Sequence, residues 1–212
     1  MPAFPPAPIA ASEFFECYLP AAFSEAAVPD DVKVVELDLG VKLEGEGGGE
    51  WLCRLSEGRL RVAAGSREEA AFTVVQSVDD WRGALWEGRG GAIGQQAAAV
   101  FRPHEGLAAA RSGTISAPTP AALAAMRDLS GLVRLVVTGG DGGDWRVGFK
   151  LGPGEIPAEA TTTLTFSSEA AAALQRGELN PLEAFLAGRV RVAGDVTLVM
   201  QMQAVQLQVS GR

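Results

Sequence analysis

The chain has 212 residues, a net charge of −8, 47% hydrophobic and 21% charged residues; this is ordinary for a globular protein, with material for a real core in one large domain or two small ones. The acidic balance argues against a nucleic-acid binder, whose affinity needs clustered Lys and Arg, and against electrostatic docking on an anionic membrane. Cys17 and Cys53 stand in no metal or redox spacing and read as two reduced core thiols. Residues 1–15 have no basic leader and many prolines, and no run of 18 apolar residues occurs anywhere. A soluble cytoplasmic protein with no transmembrane segment is therefore expected.

Residues 2–8 are proline-rich and read as an irregular arm. Residues 12–27 read as a helix with Ser12 as a cap, broken or kinked at Pro20, with Phe14, Phe15, Tyr18 and Leu19 as an apolar cluster. Val32, Val34, Leu37 and Leu39 predict a strand with a slip near Val35, followed by a glycine turn at 45–49. Trp51–Leu55, Arg59–Val62 and Ala71–Val75 predict three more strands, and Val78–Glu87 a helix carrying Trp81, Leu85 and Trp86. The alanine-rich segment after Gly88 predicts helix up to Pro103, and residues 112–119 a break rich in Ser, Gly, Thr and Pro. Thr119 and Pro120 then suit the start of a helix with Leu123, Met126 and Leu129 on one face. Strands are predicted at Gly131–Thr138, Asp144–Val147 and Thr161–Phe166, the first two joined by a glycine turn at 139–143. Gly49-Glu50-Trp51 matches Gly143-Asp144-Trp145, and Leu85-Trp86-Glu87-Gly88 matches Leu174-Gln175-Arg176-Gly177, so the chain reads as an internal repeat.

The most informative stretch is 168–205. Ser168 can cap a helix that Gly177 ends; Asn180, Pro181 and Glu183 have the spacing of a second helix start, and Gly188 stops that helix. Val190 and Val192 alternate with Arg189 and Arg191, and Gly194-Asp195 suits a tight hairpin turn. Val196, Leu198, Met200 and Met202 alternate with Thr197, Val199, Gln201 and Gln203, which predicts a final strand whose methionine face is either core or an adaptable pocket wall.

Gly177-Glu178-Leu179-Asn180-Pro181, Ala184-Phe185, Gly188-Arg189-Val190-Arg191-Val192 and Gly194-Asp195 resemble the C-terminal half of the sterol carrier protein type 2 (nonspecific lipid-transfer) domain family. That pattern runs roughly G-x-x-N/D-P-x-x-A-F-x-x-G-K-x-K-x-x-G-D/N, and the spacing matches without a gap, with arginines at 189 and 191 where lysines are usual. The resemblance covers residues 131–207. The first half shares the element order but has no N-P-x-x-A-F after Gly88, so an incomplete first copy is expected in a tandem repeat: a degenerate module at 9–103, a linker at 104–118, and a lipid-binding module at 119–209. The resemblance implies an α+β fold, a mostly antiparallel sheet covered on one face by helices, with a hydrophobic tunnel that takes lipids. Leu174, Leu179, Leu182, Phe185, Leu186, Val196, Leu198, Met200 and Met202 would line it. Ala171 and Ala172 stand where relatives carry larger side chains, and either widen the cavity or mark a shallower core.

No candidate for chemistry competes with that reading. His104, the sole histidine, follows Pro103 with no orienting partner identifiable. Asp79-Asp80 sit at a helix start, where the dipole explains them; Ser167-Ser168 lack a nucleophile-elbow context; the glycine runs lack the lysine of a phosphate loop. The expectation is noncatalytic binding or transfer of a lipid or fatty acyl ligand, with no enzyme activity, catalytic residue, metal, cofactor or nucleic-acid partner. The alternative is an accessory or dimerisation module, a homodimer or the protein partner of a lipid-metabolism enzyme.

Overall fold

A computed structural model describes residues 3–26, 33, 36–65, 69–99, 101–103, 124, 125, 127–179, 181–201 and 204. The expected strand start at Val32 and Val34, His104, the break at 112–119, the helix start at Thr119, the Asn180 cap and Met202 lie outside the described residues.

The first helical run is α1 (Ala11–Glu13), a π-helical stretch Phe14–Tyr18 and α2 (Leu19–Glu25). Pro20 does not break it. It falls at the start of α2, directly after the wide π-helical turns, where a missing N–H is tolerated. Strands β1 (Leu37–Glu44), β2 (Gly49–Ser56), β3 (Arg59–Ala64) and β4 (Phe72–Ser77) come next. Then come α3 (Val78–Arg82), its π-helical continuation Gly83–Glu87, and α4 (Gly91–Ala99). The second half contains β5 (Gly131–Thr138), β6 (Trp145–Leu151), β7 (Thr162–Ser167), α5 (Ser168–Gln175), α6 (Pro181–Leu186), β8 (Val190–Gly194) and α7 (196–201).

The eight strands among the described residues form one sheet in the order β3-β2-β1-β4-β6-β5-β7-β8, antiparallel except where β1 meets β4 and β5 meets β7. The fold is thus α+β, as the family resemblance implies. The two halves share an arrangement: an antiparallel hairpin whose first strand also pairs, in parallel, with a later strand. Val41 pairs with Trp51 and Val74 in one half, and Val137 with Trp145 and Phe166 in the other. They differ at their edges. The outer side of β2 is covered by β3, whereas that of β6 is covered by β4; the outer side of β7 is covered by β8, whereas that of β4 is covered by β6. One pairing, β4 with β6, therefore completes both half-sheets.

That seam runs from Phe72↔Leu151 to Val75↔Gly148, with the rings of Phe72 and Phe149 stacked at 5.4 Å. Beyond Val75 β4 no longer pairs with β6, and side chains continue the ladder. The Arg146 carbonyl accepts from Gln76 Nε2 at 3.1 Å, and the Arg146 N–H donates to Asp80 Oδ1 at 3.1 Å. Asp80 is 8% exposed. It also completes a reciprocal cap, its N–H donating to Ser77 Oγ at 2.9 Å and its Oδ2 accepting from the Ser77 hydroxyl at 2.8 Å. The Trp145 indole N–H donates to the Asp80 carbonyl at 2.9 Å.

The helices lie on the face carrying Val41, Leu43, Trp51, Cys53, Val74, Val137, Trp145 and Val147. These join Phe14, Phe15, Trp81, Leu85, Ala98 and Ala171 in one core spanning both halves. The opposite face carries the pairs Lys42–Glu50 at 3.3 Å and Arg54–Asp38 at 2.8 Å. Lys150 is buried on that side because its ammonium donates to the carbonyls of Gly152 and Pro153.

Asp80→Ala leaves the Ser77 hydroxyl and the Arg146 N–H without their acceptor. It should lower stability by about 2–3 kcal/mol in urea unfolding, with Asp80→Asn, which keeps an acceptor, losing less. Equal losses would mean that one neutral acceptor of the same shape cannot replace the carboxylate.

Candidate functional site

The family-like stretch folds through local signals. α5 starts one residue earlier than expected: Ser167, not Ser168, is the cap, its Oγ accepting from the Ala170 N–H at 3.1 Å, while the Ser168 hydroxyl donates to the Gly139 carbonyl at 3.0 Å. Both predicted glycine stops hold. Gly177 and Gly188 have φ of 69° and 68°. After each, the next N–H reaches back to the helix, Glu178 to the Ala173 carbonyl at 3.0 Å and Arg189 to that of Ala184 at 2.9 Å. Arg176 pairs with Glu178 at 2.7 Å, and this hydrogen bond holds the Glu178 carboxyl below its ordinary value.

Two expectations in this stretch are corrected. Gly194-Asp195 makes no hairpin turn. The Asp195 N–H donates to the Thr161 carbonyl at 2.9 Å, and the Thr162 hydroxyl donates to the Asp195 carbonyl at 2.6 Å. The expected final strand is a helix instead: Asp195 Oδ1 accepts from the Thr197 N–H at 2.8 Å, an N-cap contact, and residues 196–201 are helical. Burial agrees with the helical period. Val196 and Met200, four apart, are both exposed, and Leu198 between them is buried.

The proposed lining residues therefore part company. Ala171 (1% exposed) belongs to the main core, and Leu198 (3% exposed) packs with Val133 and Leu151. Ala172, Leu174 and Leu179 are half-buried. Phe185 (44%), Leu186 (75%), Val196 (40%) and Met200 (64%) are exposed. Met202 and the side chain of Leu182 lie outside the described residues.

A cleft of about 520 Å³ opens in this half, lined by Thr138, Thr165, Phe166, Ser167, Glu169, Ala170, Gly188, Arg189 and Arg191. It lies where β7 runs into α5 and where the chain enters β8, with Thr165 paired to Arg191 across the two strands. Its walls are mostly hydroxyls and charges. Sequence reasoning placed Arg189 and Arg191 on the wet side of a strand but had no means of bringing Thr138 and Ser167 to them; that proximity comes from the β5–β7 pairing, in which Thr138 meets Ser167.

The residues considered for chemistry have structural partners. Asp80 is taken up by the cap and the seam, and Asp79 by Arg89 at 2.5 Å, with Glu87 on the same guanidinium at 2.7 Å. Cys53 is buried, and desolvation pushes its thiol up to about 12, whereas Cys17 is exposed. Among the described residues, no group of three His, Cys, Asp or Glu side chains is arranged to hold a metal ion, and no helix is long and apolar enough to cross a membrane.

The structure is that of an α+β protein whose second half carries a polar cleft and exposed apolar side chains. Residues 113–206 match the model of the SCP-2 sterol transfer family. Over 90 residues, 39% of this chain, it is 32% identical to sterol carrier protein 2 of Rattus norvegicus and covers 16% of that protein. It is 31% identical to the human protein, with the same coverage. The chain thus spans about a sixth of the length of the curated relatives it matches. Among solved structures it resembles sterol carrier protein domain 2 of Helicoverpa armigera, with 25% identity, 54% of this chain and 90% of that chain covered, and a TM-score of 0.34.

Two measurements check the burial of these side chains. In the native protein a thiol reagent should modify Cys17 and spare Cys53 until denaturant is added; fast native labelling of both would contradict the burial of Cys53. Ala171→Phe should lower stability by about 1–3 kcal/mol through overpacking, read as a lower Tm. An unchanged Tm would reveal open space beside α5.

Proposed function

We propose that the chain binds a lipid or similar acyl amphiphile without catalysing a reaction on it, and passes it on. The observation that carries this is the exposure of Phe185, Leu186, Val196 and Met200, four large apolar side chains inside the segment that matches the sterol transfer family. Exposed apolar side chains grouped in one segment mark surfaces that bind apolar partners. Burial of a CH₂ group contributes roughly 0.8 kcal/mol, so a dozen contribute on the order of 10 kcal/mol. Association costs roughly 4–15 kcal/mol. Binding of about micromolar strength or weaker results, which suits a carrier that must also release. We further propose that the halves are two related modules sharing one sheet; their common hairpin-plus-parallel-strand arrangement supports this.

A second reading, a module that docks on a protein partner or a second copy, is favoured by the same side chains being open to the surface. Native mass spectrometry separates the two: co-purified lipid supports the carrier, a lipid-free dimer the docking module.

Leu186→Glu and Met200→Glu should each weaken binding of a fluorescent fatty acid by about tenfold, the equivalent of one buried apolar side chain. Both positions are exposed, so Tm should hold. Unchanged affinity in both variants would defeat the assignment of this surface.

A further inference from the structure

We infer that the cleft at Arg189 and Arg191 is the seat of a monoanionic oxyanion, the carboxylate or phosphodiester head of an amphiphile. This rests on the lipid reading and adds to it the class of head group.

The cleft does not suit an acyl chain. Of its lining, Thr138, Thr165, Ser167, Glu169, Arg189 and Arg191 are polar, and about 520 Å³ is a usual volume for a small-ligand site. Its two guanidiniums have no ion-pair or hydrogen-bond partner among the described residues. Arg54, Arg89 and Arg176, by contrast, are each held by carboxylates. Both side chains are exposed, and the backbone sets where they start: Arg189 by its N–H on the Ala184 carbonyl, and Arg191 by its pairing with Thr165. A guanidinium presents paired donors that match carboxylate and phosphate oxygens. Among the described residues Glu169 is the one acidic lining residue, so two arginines leave a single net positive charge. A monoanion balances that charge; a phosphate dianion meets Glu169 with excess negative charge.

The cleft also touches the apolar surface. Gly188 lines it and donates its N–H to the Phe185 carbonyl at 3.0 Å, so the end of α6 that carries exposed Phe185 and Leu186 borders the cleft. Head and tail of one molecule can therefore be held side by side.

Calorimetry on the full chain with octanoate and octanol, which share a tail and differ in the head, tests the assignment. Octanoate should bind about tenfold more tightly, the effect of one charge-assisted contact pair, and the preference should collapse in the double variant Arg189→Gln, Arg191→Gln. Equal affinities in the parent protein, or a preference that survives in the double variant, overturn the inference. If neither compound binds, the apolar surface is refuted, and acetate and inorganic phosphate decide the cleft alone. Saturable shifts of the Ser167, Ala170 and Gly188 amide resonances with acetate, stronger than with phosphate and lost in the double variant, uphold a free-anion site. Their absence, or stronger binding of phosphate, overturns it.

Discussion

The pairing of β4 with β6 is the constraint on which the rest of the architecture depends. The inner edge of each half-sheet, β4 in one and β6 in the other, is not covered by its own chain segment, and an uncovered edge exposes a row of unpaired N–H and C=O groups. Here the two bare edges meet. The pairing is short, and Gln76 and Asp80 lengthen it by supplying from side chains what a further strand residue would supply from its backbone. Because the Asp80 carboxylate also accepts from the hydroxyl of Ser77, the cap of α3, the helix and the seam are fastened by one carboxylate, and its burial is tolerated because both its oxygens accept hydrogen bonds.

The seam then dictates the packing above it. Trp145 is fully buried at the start of β6, under the turn that leads into α4. A side chain on Gly90, which has a φ of +80°, would come within 2.5 Å of the indole, so glycine is required for the turn to lie on it. α4, from the first half, packs against α5, from the second, and Ala98 and Ala171 share one core. Close approach of these helices explains small residues at α4 and at Ala170 and Ala171, without recourse to a widened cavity.

Away from the seam, the second half divides its surface. The cleft at the start of α5 and β8 is built of hydroxyls and charges, while α6 and α7 leave Phe185, Leu186, Val196 and Met200 uncovered. A water-exposed apolar surface costs free energy unless a partner covers it, and two guanidiniums next to it, unpaired among the described residues, set the polarity of what that partner carries.

Local signals in the chain were sufficient for much of this. The glycine turns, the ends of α5 and α6 at Gly177 and Gly188, and the strands around Trp51 and Trp145 could be read directly, because each is decided by backbone conformation and by neighbours within a few residues. The resemblance of 131–207 rested on the same spacings. The strand expected at 196–201 came from a short apolar run, in which alternation and helical period cannot be told apart; Asp195, a favourable cap just before Val196, was the signal for helix. The sequence by itself thus determined most element types, the glycine turns at 45–49 and 139–143 and the family resemblance of the second half, but not the helix after Asp195. Only the tertiary structure decided that the halves share a sheet, that Arg189 and Arg191 meet Thr138 and Ser167, and which apolar residues stay exposed. Those outcomes depend on which strand edges pair across long stretches of chain, and pairing of that kind leaves no period in the sequence.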